Sequence, residues 1–127
     1  MMSNQFVTAI NCMDGRVQEP VIQWMKEKYN ATYVDMITEA GPNKTLLYGS
    51  GEDRKRIMDK VDISYHNHGS KVLAIVGHHD CAGYSLEDST KKDKIKTNVQ
   101  TFRNLDYEME IIGLFVNADF EVEVVID

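Results

Sequence analysis

The chain has little of several features that would point to a specialised class of protein. Its 127 residues contain no apolar run close to the roughly 20 residues that a membrane-spanning helix needs. Its formal net charge is −6, so no excess of basic residues favours binding to nucleic acid. Its N-terminus lacks the basic start and the long apolar segment of a secretion signal, and we therefore expect a cytoplasmic protein.

Cysteine is also scarce, with only Cys12 and Cys81 present. In the cytoplasm, two such residues are more often free thiols or metal ligands than a disulfide. The chain lacks a Cys-x-x-Cys pair, so a redox function of the two thiols is a minor alternative. The remaining composition, 43% hydrophobic and 27% charged, predicts one globular domain over residues 1–127.

An apolar run, VLAIVG at residues 72–77, leads directly into His78 and Cys81. A continuous run rich in β-branched residues suits a strand that is buried on both faces in the middle of a parallel sheet. Cys12 also follows an apolar run, at residues 6–10. Two thiols and one imidazole at strand ends form a ligand set that is compatible with catalytic Zn²⁺ and leaves a fourth position open.

Hydrophobic periodicity and turn residues divide the chain into alternating strands and helices. Strands are predicted at residues 5–11, 31–38, 71–77, 110–116 and 120–126, and helices at residues 19–29, 52–67 and 89–104. Residues 39–44 are predicted to form a loop, because Gly41 and Pro42 interrupt regular structure there. A short helical turn at 45–48 and a flexible linker at 49–51 are predicted to follow.

This order of elements predicts an α/β fold with a mostly parallel central sheet of about five strands. The expected strand order is 2-1-3-4-5, with the last strand antiparallel and helices on both faces. The gap between strands one and three is then a switch point, where ligand sites form beyond the carboxyl ends of strands. Cys12 lies at one of these ends, and His78 and Cys81 lie at the other, so we expect the three side chains to meet.

Asp14 and Arg16 follow Cys12 in the same polar loop. Bound zinc lowers the pKa of its water to about 7, which supplies hydroxide at neutral pH. A carboxylate can accept the hydrogen bond of that hydroxide, and a guanidinium can keep the carboxylate ionised and oriented. A plain surface ion pair is the alternative for these two residues.

The motifs resemble those of the β-class carbonic anhydrases, C-x-D-x-R after the first strand and H-x-x-C after the third. They stand here as Cys12-Met13-Asp14-Gly15-Arg16 and His78-His79-Asp80-Cys81. The Ala40-Gly41 loop is similar to the Ala-Gly-Asn loop of the family, with Pro42 interrupting it before Asn43. The tail at residues 111–127 resembles the last strand and hairpin of the family, so the resemblance covers nearly the whole chain from Phe6 onward.

The resemblance implies that Cys12, His78 and Cys81 bind Zn²⁺ and that Asp14 and Arg16 form a catalytic dyad. It also implies reversible hydration of carbon dioxide to bicarbonate by a homodimer or a higher homo-oligomer. In some family members the aspartate itself becomes the fourth zinc ligand, so a zinc-binding protein without this activity is one alternative. A zinc hydrolase that acts on another small electrophile, such as carbon disulfide or carbonyl sulfide, is another.

Three further features remain open on the sequence alone. His79 is assigned a structural or exposed role in preference to proton transfer near the site. Asp80 is predicted to cap the following turn in preference to bonding a ligand. The basic run KKDKIK at residues 91–96 is predicted to be a solvated helix face.

Overall fold

The computed structural model describes residues 5–127, which form a five-stranded sheet flanked by helices. In chain order the elements are β1 (Phe6–Cys12), a 3₁₀ turn (Gly15–Val17), α1 (Gln18–Tyr29), β2 (Tyr33–Glu39), α2 (Pro42–Tyr48), α3 (Gly51–His66), β3 (Val72–His78), α4 (Asp88–Arg103), β4 (Glu110–Val116) and β5 (Val122–Ile126). The strand order is β2-β1-β3-β4-β5, and only β5 runs antiparallel to its neighbour. The predicted fold class and strand order are confirmed.

Apolar side chains bury both faces of the sheet. On one face α1 packs against the strands through residues such as Met25, and on the other α3 and α4 pack through Ile57 and Ile95. Side chains alternate between the faces of a strand, so β3 contributes Val76 to the first layer and Ile75 to the second. Within residues 5–127, no helix has the length and apolar character needed to cross a membrane.

The two central strands pair over only part of their length. The ladder between β1 and β3 ends at Ile10 and Ile75, whereas β1 stays paired with β2 as far as Cys12. Likewise, β3 stays paired with β4 as far as His78. The strands β1 and β3 therefore separate at their carboxyl ends and leave a crevice, which is the predicted switch point.

The prediction of a loop at residues 39–44 is wrong, because α2 begins at Pro42. Gly41 adopts a left-handed conformation with φ +60°, which turns the chain into the helix. Proline is favourable in the first helical turn, where its fixed φ is helical and no intrahelical partner is lost. A Gly-Pro pair thus starts a helix here instead of extending the loop.

Two other element boundaries differ from the predictions, each for a clear physical reason. The helix α3 begins at Gly51, inside the predicted linker, because Ser50 Oγ caps it by accepting the backbone N–H of Asp53 at 3.1 Å. The strand β5 begins at Val122, because Phe120 has φ +61° and belongs to the turn. The strand β4 has the predicted bounds, and the other element ends shift by two residues at most.

Two glycines allow the loop after β2 to lie directly against the loop that carries Cys81. A Cβ built on Gly83 would lie 2.6 Å from the backbone nitrogen of Gly41. A Cβ built on Gly41 would lie 2.6 Å from the carbonyl carbon and oxygen of Gly83. Backbone meets backbone at this point, so only glycine fits at either position without displacing a loop.

Gly83→Ala should therefore destabilise the protein by about 1–3 kcal/mol, the usual cost of overpacking. Gly51→Ala is the matched control, because no atom lies within 4 Å of a Cβ built there. Denaturant unfolding followed by circular dichroism measures both variants. A Gly83→Ala protein as stable as the Gly51→Ala protein would contradict the close backbone contact.

Candidate metal centre

Cys12, His78 and Cys81 meet in the crevice between β1 and β3. Their potential ligand atoms all lie within 4.8 Å of one another, and the two Sγ atoms are 3.8 Å apart. All three residues are buried, with exposed fractions of 4%, 2% and 7%. The structure thus brings together the three side chains that the strand ends predicted, in an arrangement that could hold a metal ion.

His78 is oriented as a metal ligand would be. Its Nδ1 lies 2.8 Å from the carbonyl oxygen of His79, which can only accept, so Nδ1 carries the proton. Its Nε2 is buried and has no hydrogen-bond partner among residues 5–127. A buried polar atom without a partner is costly, and histidines that bind metals typically donate their other N–H to a carbonyl or carboxylate. Both features fit a cation at Nε2.

The three side chains perturb one another's pKa values because they share one small space. The Cys81 thiol, with His78 and the backbone amides of Gly41 and Asp14, holds the pKa of Cys12 well below its usual range. The contact with Cys12, together with burial, raises the pKa of Cys81. Burial lowers the pKa of His78, but the neighbouring Cys12 thiolate raises it overall. A divalent cation would remove this conflict, because it stabilises both thiolates and the neutral imidazole.

Asp14 and Arg16 form a bidentate ion pair in the loop that follows β1. Arg16 Nε donates to Asp14 Oδ1 at 3.0 Å, and Arg16 Nη2 donates to Oδ2 at 2.7 Å. The backbone N–H of Arg16 also donates to Oδ1, at 2.9 Å. These bonds hold the pKa of Asp14 well below its usual range and raise the pKa of Arg16. The Asp14 carboxylate faces Arg16 and is not a member of the Cys–His–Cys cluster.

Asp80 has a different contact from the predicted cap. Its backbone is left-handed, with φ +58°, and its carbonyl oxygen accepts from Arg16 Nη2 at 3.2 Å. Its carboxylate lies 3.4 Å from Arg16 Nη1, so Asp80 helps to orient the guanidinium. His79 is half-exposed, and its Nδ1 donates to the Asp88 carboxylate at 2.9 Å.

Lys91 is a site neighbour that the sequence analysis missed. It is only 5% exposed, and its Nζ donates to the carbonyl oxygen of His78 at 3.0 Å. The basic run at residues 91–96 is therefore not a solvated face throughout, and that prediction is wrong at its first residue. The spacing held a usable signal, because Lys91 lies four residues before the buried Ile95 on the same side of α4.

Asn43, which the sequence placed only in a loop similar to that of the family, is a second neighbour of the site. Its Nδ2 donates to the carbonyl oxygen of Val76 at 3.0 Å, and its Oδ1 accepts from Asn98 Nδ2 at 2.9 Å. The backbone N–H of His79 donates to Val116 of β4. Because backbone groups along a strand point alternately to its two sides, the carbonyls of Val76 and His78 point toward β1. The crevice leaves no β1 backbone beside them, and side chains of α2 and α4 take its place.

The fold is that of the β-carbonic anhydrases. A crystal structure from a study of two tetrameric β-carbonic anhydrases of Sordaria macrospora matches with a TM-score of 0.60 at 10% identity, covering 98% of this chain and 81% of the other. The β-carbonic anhydrase CafA of Aspergillus fumigatus matches with a TM-score of 0.49 at 11% identity, covering 95% and 74%. The sequence matches no curated protein.

The family itself is shown by the sequence. The model of the family described as "Putative carbonic anhydrase" matches residues 2–126, and the chain belongs to this family. The resemblance that the two motifs indicated is thereby confirmed.

The purified protein should bind about one Zn²⁺ per chain, because three buried ligand atoms converge on one point. His78→Ala should lower zinc affinity by more than about 100-fold, which exceeds the effect of removing a supporting hydrogen bond. His79→Ala, the half-exposed neighbour, is the control and should keep its zinc. Competition with a chromophoric chelator measures the affinities, and equal zinc binding by the two variants would contradict the assignment.

Proposed function

We propose that this protein catalyses the zinc-dependent, reversible hydration of carbon dioxide to bicarbonate and a proton. The observation that carries the proposal is the buried Nε2 of His78, which has no hydrogen-bond partner among residues 5–127, on a side chain whose ligand atom lies within 4.8 Å of two thiols. Family membership supports the same chemistry. In this proposal Cys12, His78 and Cys81 hold the metal, and Asp14 and Arg16 are the catalytic dyad.

Zinc bound by this ligand set would act as a Lewis acid that makes a coordinated water acidic near neutral pH. Asp14, kept ionised by Arg16, would accept a hydrogen bond from the hydroxide held at the metal and would so orient its lone pair toward the carbon of carbon dioxide. Because its pKa is low, Asp14 stays ionised and does not hold the proton released in each turnover, which passes to solvent. The partial exposure of this pair, 21% for Asp14 and 49% for Arg16, gives the proton a direct route.

The arrangement of Asp14 favours this function over a zinc-binding protein in which Asp14 is the fourth ligand. Both carboxylate oxygens of Asp14 accept hydrogen bonds from Arg16, and Asp80 holds the same guanidinium from its other side. Moving Asp14 onto a metal would break these charge-assisted bonds, which are stronger than neutral hydrogen bonds. A fixed Arg16 thus supports a fourth position that stays open to substrate.

A homo-oligomer belongs to the same proposal. Met13 follows Cys12 in the chain, and Phe120 lines a pocket together with Arg16 and His78. These large apolar side chains are 64% and 50% exposed, which suits a surface covered by a second copy. The β-carbonic anhydrases of Sordaria macrospora are described as tetrameric. A cytoplasmic location and a single domain over residues 1–127 stay predictions.

Zinc-loaded protein should hydrate carbon dioxide faster than buffer alone in a stopped-flow indicator assay. Asp14→Asn should lower kcat/KM by about 100-fold or more, because the amide cannot replace an ionised acceptor. Asp106→Asn is the control, since this exposed residue changes the net charge equally in the loop after α4.

Zinc-loaded wild-type protein that gives no rate above buffer at any pH would overturn the proposal. It would then support a zinc-binding protein without this activity. The same assay run with carbon disulfide tests the hydrolase alternative.

A further inference from the structure

We propose that Lys91 forms an anion-binding site in the wall of the crevice, which holds the bicarbonate product beside His78 and Cys81. The inference rests on the proposed function, because it assigns the charged product of that reaction to one particular cation. It concerns a residue outside both sequence motifs.

Lys91 is a buried cation without a counter-ion in the part of the chain that the structure describes. It is 5% exposed, and its ammonium donates one hydrogen bond, to the His78 carbonyl oxygen at 3.0 Å. An ammonium has three N–H groups, so two of them have no acceptor among residues 5–127. Burying an unpaired charge is strongly unfavourable, and an anion that enters from outside would relieve the cost.

Two acidic residues near the first half of α4 already have other partners. Asp88, in the first turn of the helix, accepts from His79 at 2.9 Å. Glu123 of β5 accepts from Lys92, the residue next to Lys91, at 2.9 Å. Neither carboxylate pairs with Lys91, and no carboxylate among residues 5–127 forms an ion pair with it.

The other cation at the site, Arg16, is engaged differently. Its guanidinium contacts the carboxylates of Asp14 at 2.7 Å and of Asp80 at 3.4 Å, so two negative charges offset its one positive charge. Arg16 is therefore poorly placed to stabilise a further anion. Lys91, in contrast, is buried and its charge is not offset by a carboxylate among residues 5–127.

The Lys91 side chain reaches a small cavity that His78 and Cys81 also line. The free space is about 10 Å³, close to the size that holds one water molecule. A cavity of this size accepts one oxygen atom of a small anion. Because two of the three members of the metal cluster line it, an anion there lies beside the metal position.

Close packing of α4 against β3 fixes Lys91 at this cavity. A Cβ built on Gly77 would lie 2.8 Å from Ile95 Cδ1, so the absence of a side chain at Gly77 lets the helix approach the strand. Lys91 precedes Ile95 by one helical turn and is carried to the end of β3. The cation is therefore held by a rigid element and needs no rearrangement to meet an anion.

Charge balance gives this cation a selective effect. The thiolates of Cys12 and Cys81 offset the two positive charges of Zn²⁺, so an added anion makes the centre net negative. Lys91 offsets that charge in a site where water does not screen it. Neutral carbon dioxide gains nothing from the ammonium, whereas bicarbonate does.

Calorimetric titration of the zinc-loaded protein with sodium azide, a small monovalent anion, tests the proposal. Lys91→Met should weaken azide binding by at least about 10-fold, because it removes a charge-assisted hydrogen bond. Lys96→Met is the matched control, since Lys96 is an exposed residue of the same helix and its loss changes the net charge equally. The zinc content of each variant is measured in the same samples.

Lys91→Met protein that keeps its zinc and binds azide as tightly as wild type would overturn the proposal. If Lys91→Met loses its zinc or its fold, Lys91→Gln replaces it, because the amide can still donate to the His78 carbonyl but carries no charge. Weak azide binding by zinc-loaded Lys91→Gln supports the proposal, and wild-type affinity overturns it.

The two proposals fail in different ways. Wild-type protein without hydration activity, but with azide binding that depends on Lys91, would overturn the proposed function and leave the anion site standing. Protein that hydrates carbon dioxide and binds azide independently of Lys91 would do the reverse. Protein that binds no zinc would overturn both.

Discussion

The separation of β1 from β3 at their carboxyl ends is the feature on which the site depends. If β1 and β3 stayed paired to their ends, backbone hydrogen bonds would occupy the space where Cys12 and His78 now lie. Because the ladder stops early, the carbonyls of Val76 and His78 take donors from side chains, Asn43 and Lys91. The crevice and the buried polar residues beside it are thus two consequences of one change in strand pairing.

The same crevice brings together polar groups whose burial side by side is unfavourable without a cation. The two thiols lie 3.8 Å apart, and their contact lowers the pKa of Cys12 and raises the pKa of Cys81. An imidazole nitrogen is also buried there with no hydrogen-bond partner among residues 5–127. A purely structural core would favour apolar side chains at such positions. Cys12, His78 and Cys81 would be stabilised by a divalent ion, whereas Asp14 already has an ion-pair partner in Arg16.

The sequence predicted the strand order and the cluster because both follow from local patterns. Apolar runs mark the strands, and a ligand that directly follows a run must lie at a strand end, so Cys12 and His78 could be placed together without coordinates. The start of α2 could not be placed, since Pro42 after a glycine suits a loop and a first helical turn equally well. Lys91 was missed because lysine in a basic run is normally solvated, and only the close approach of α4 at Gly77 buries it.

We infer that Cys12, His78 and Cys81 hold Zn²⁺, and X-ray absorption at the zinc edge measures this ligand set. We expect two sulfur ligands at about 2.3 Å, one imidazole nitrogen at about 2.0–2.1 Å and one further light atom. Cys12→Ser should leave a single sulfur in the zinc shell. A wild-type spectrum with one sulfur or none would contradict this ligand set.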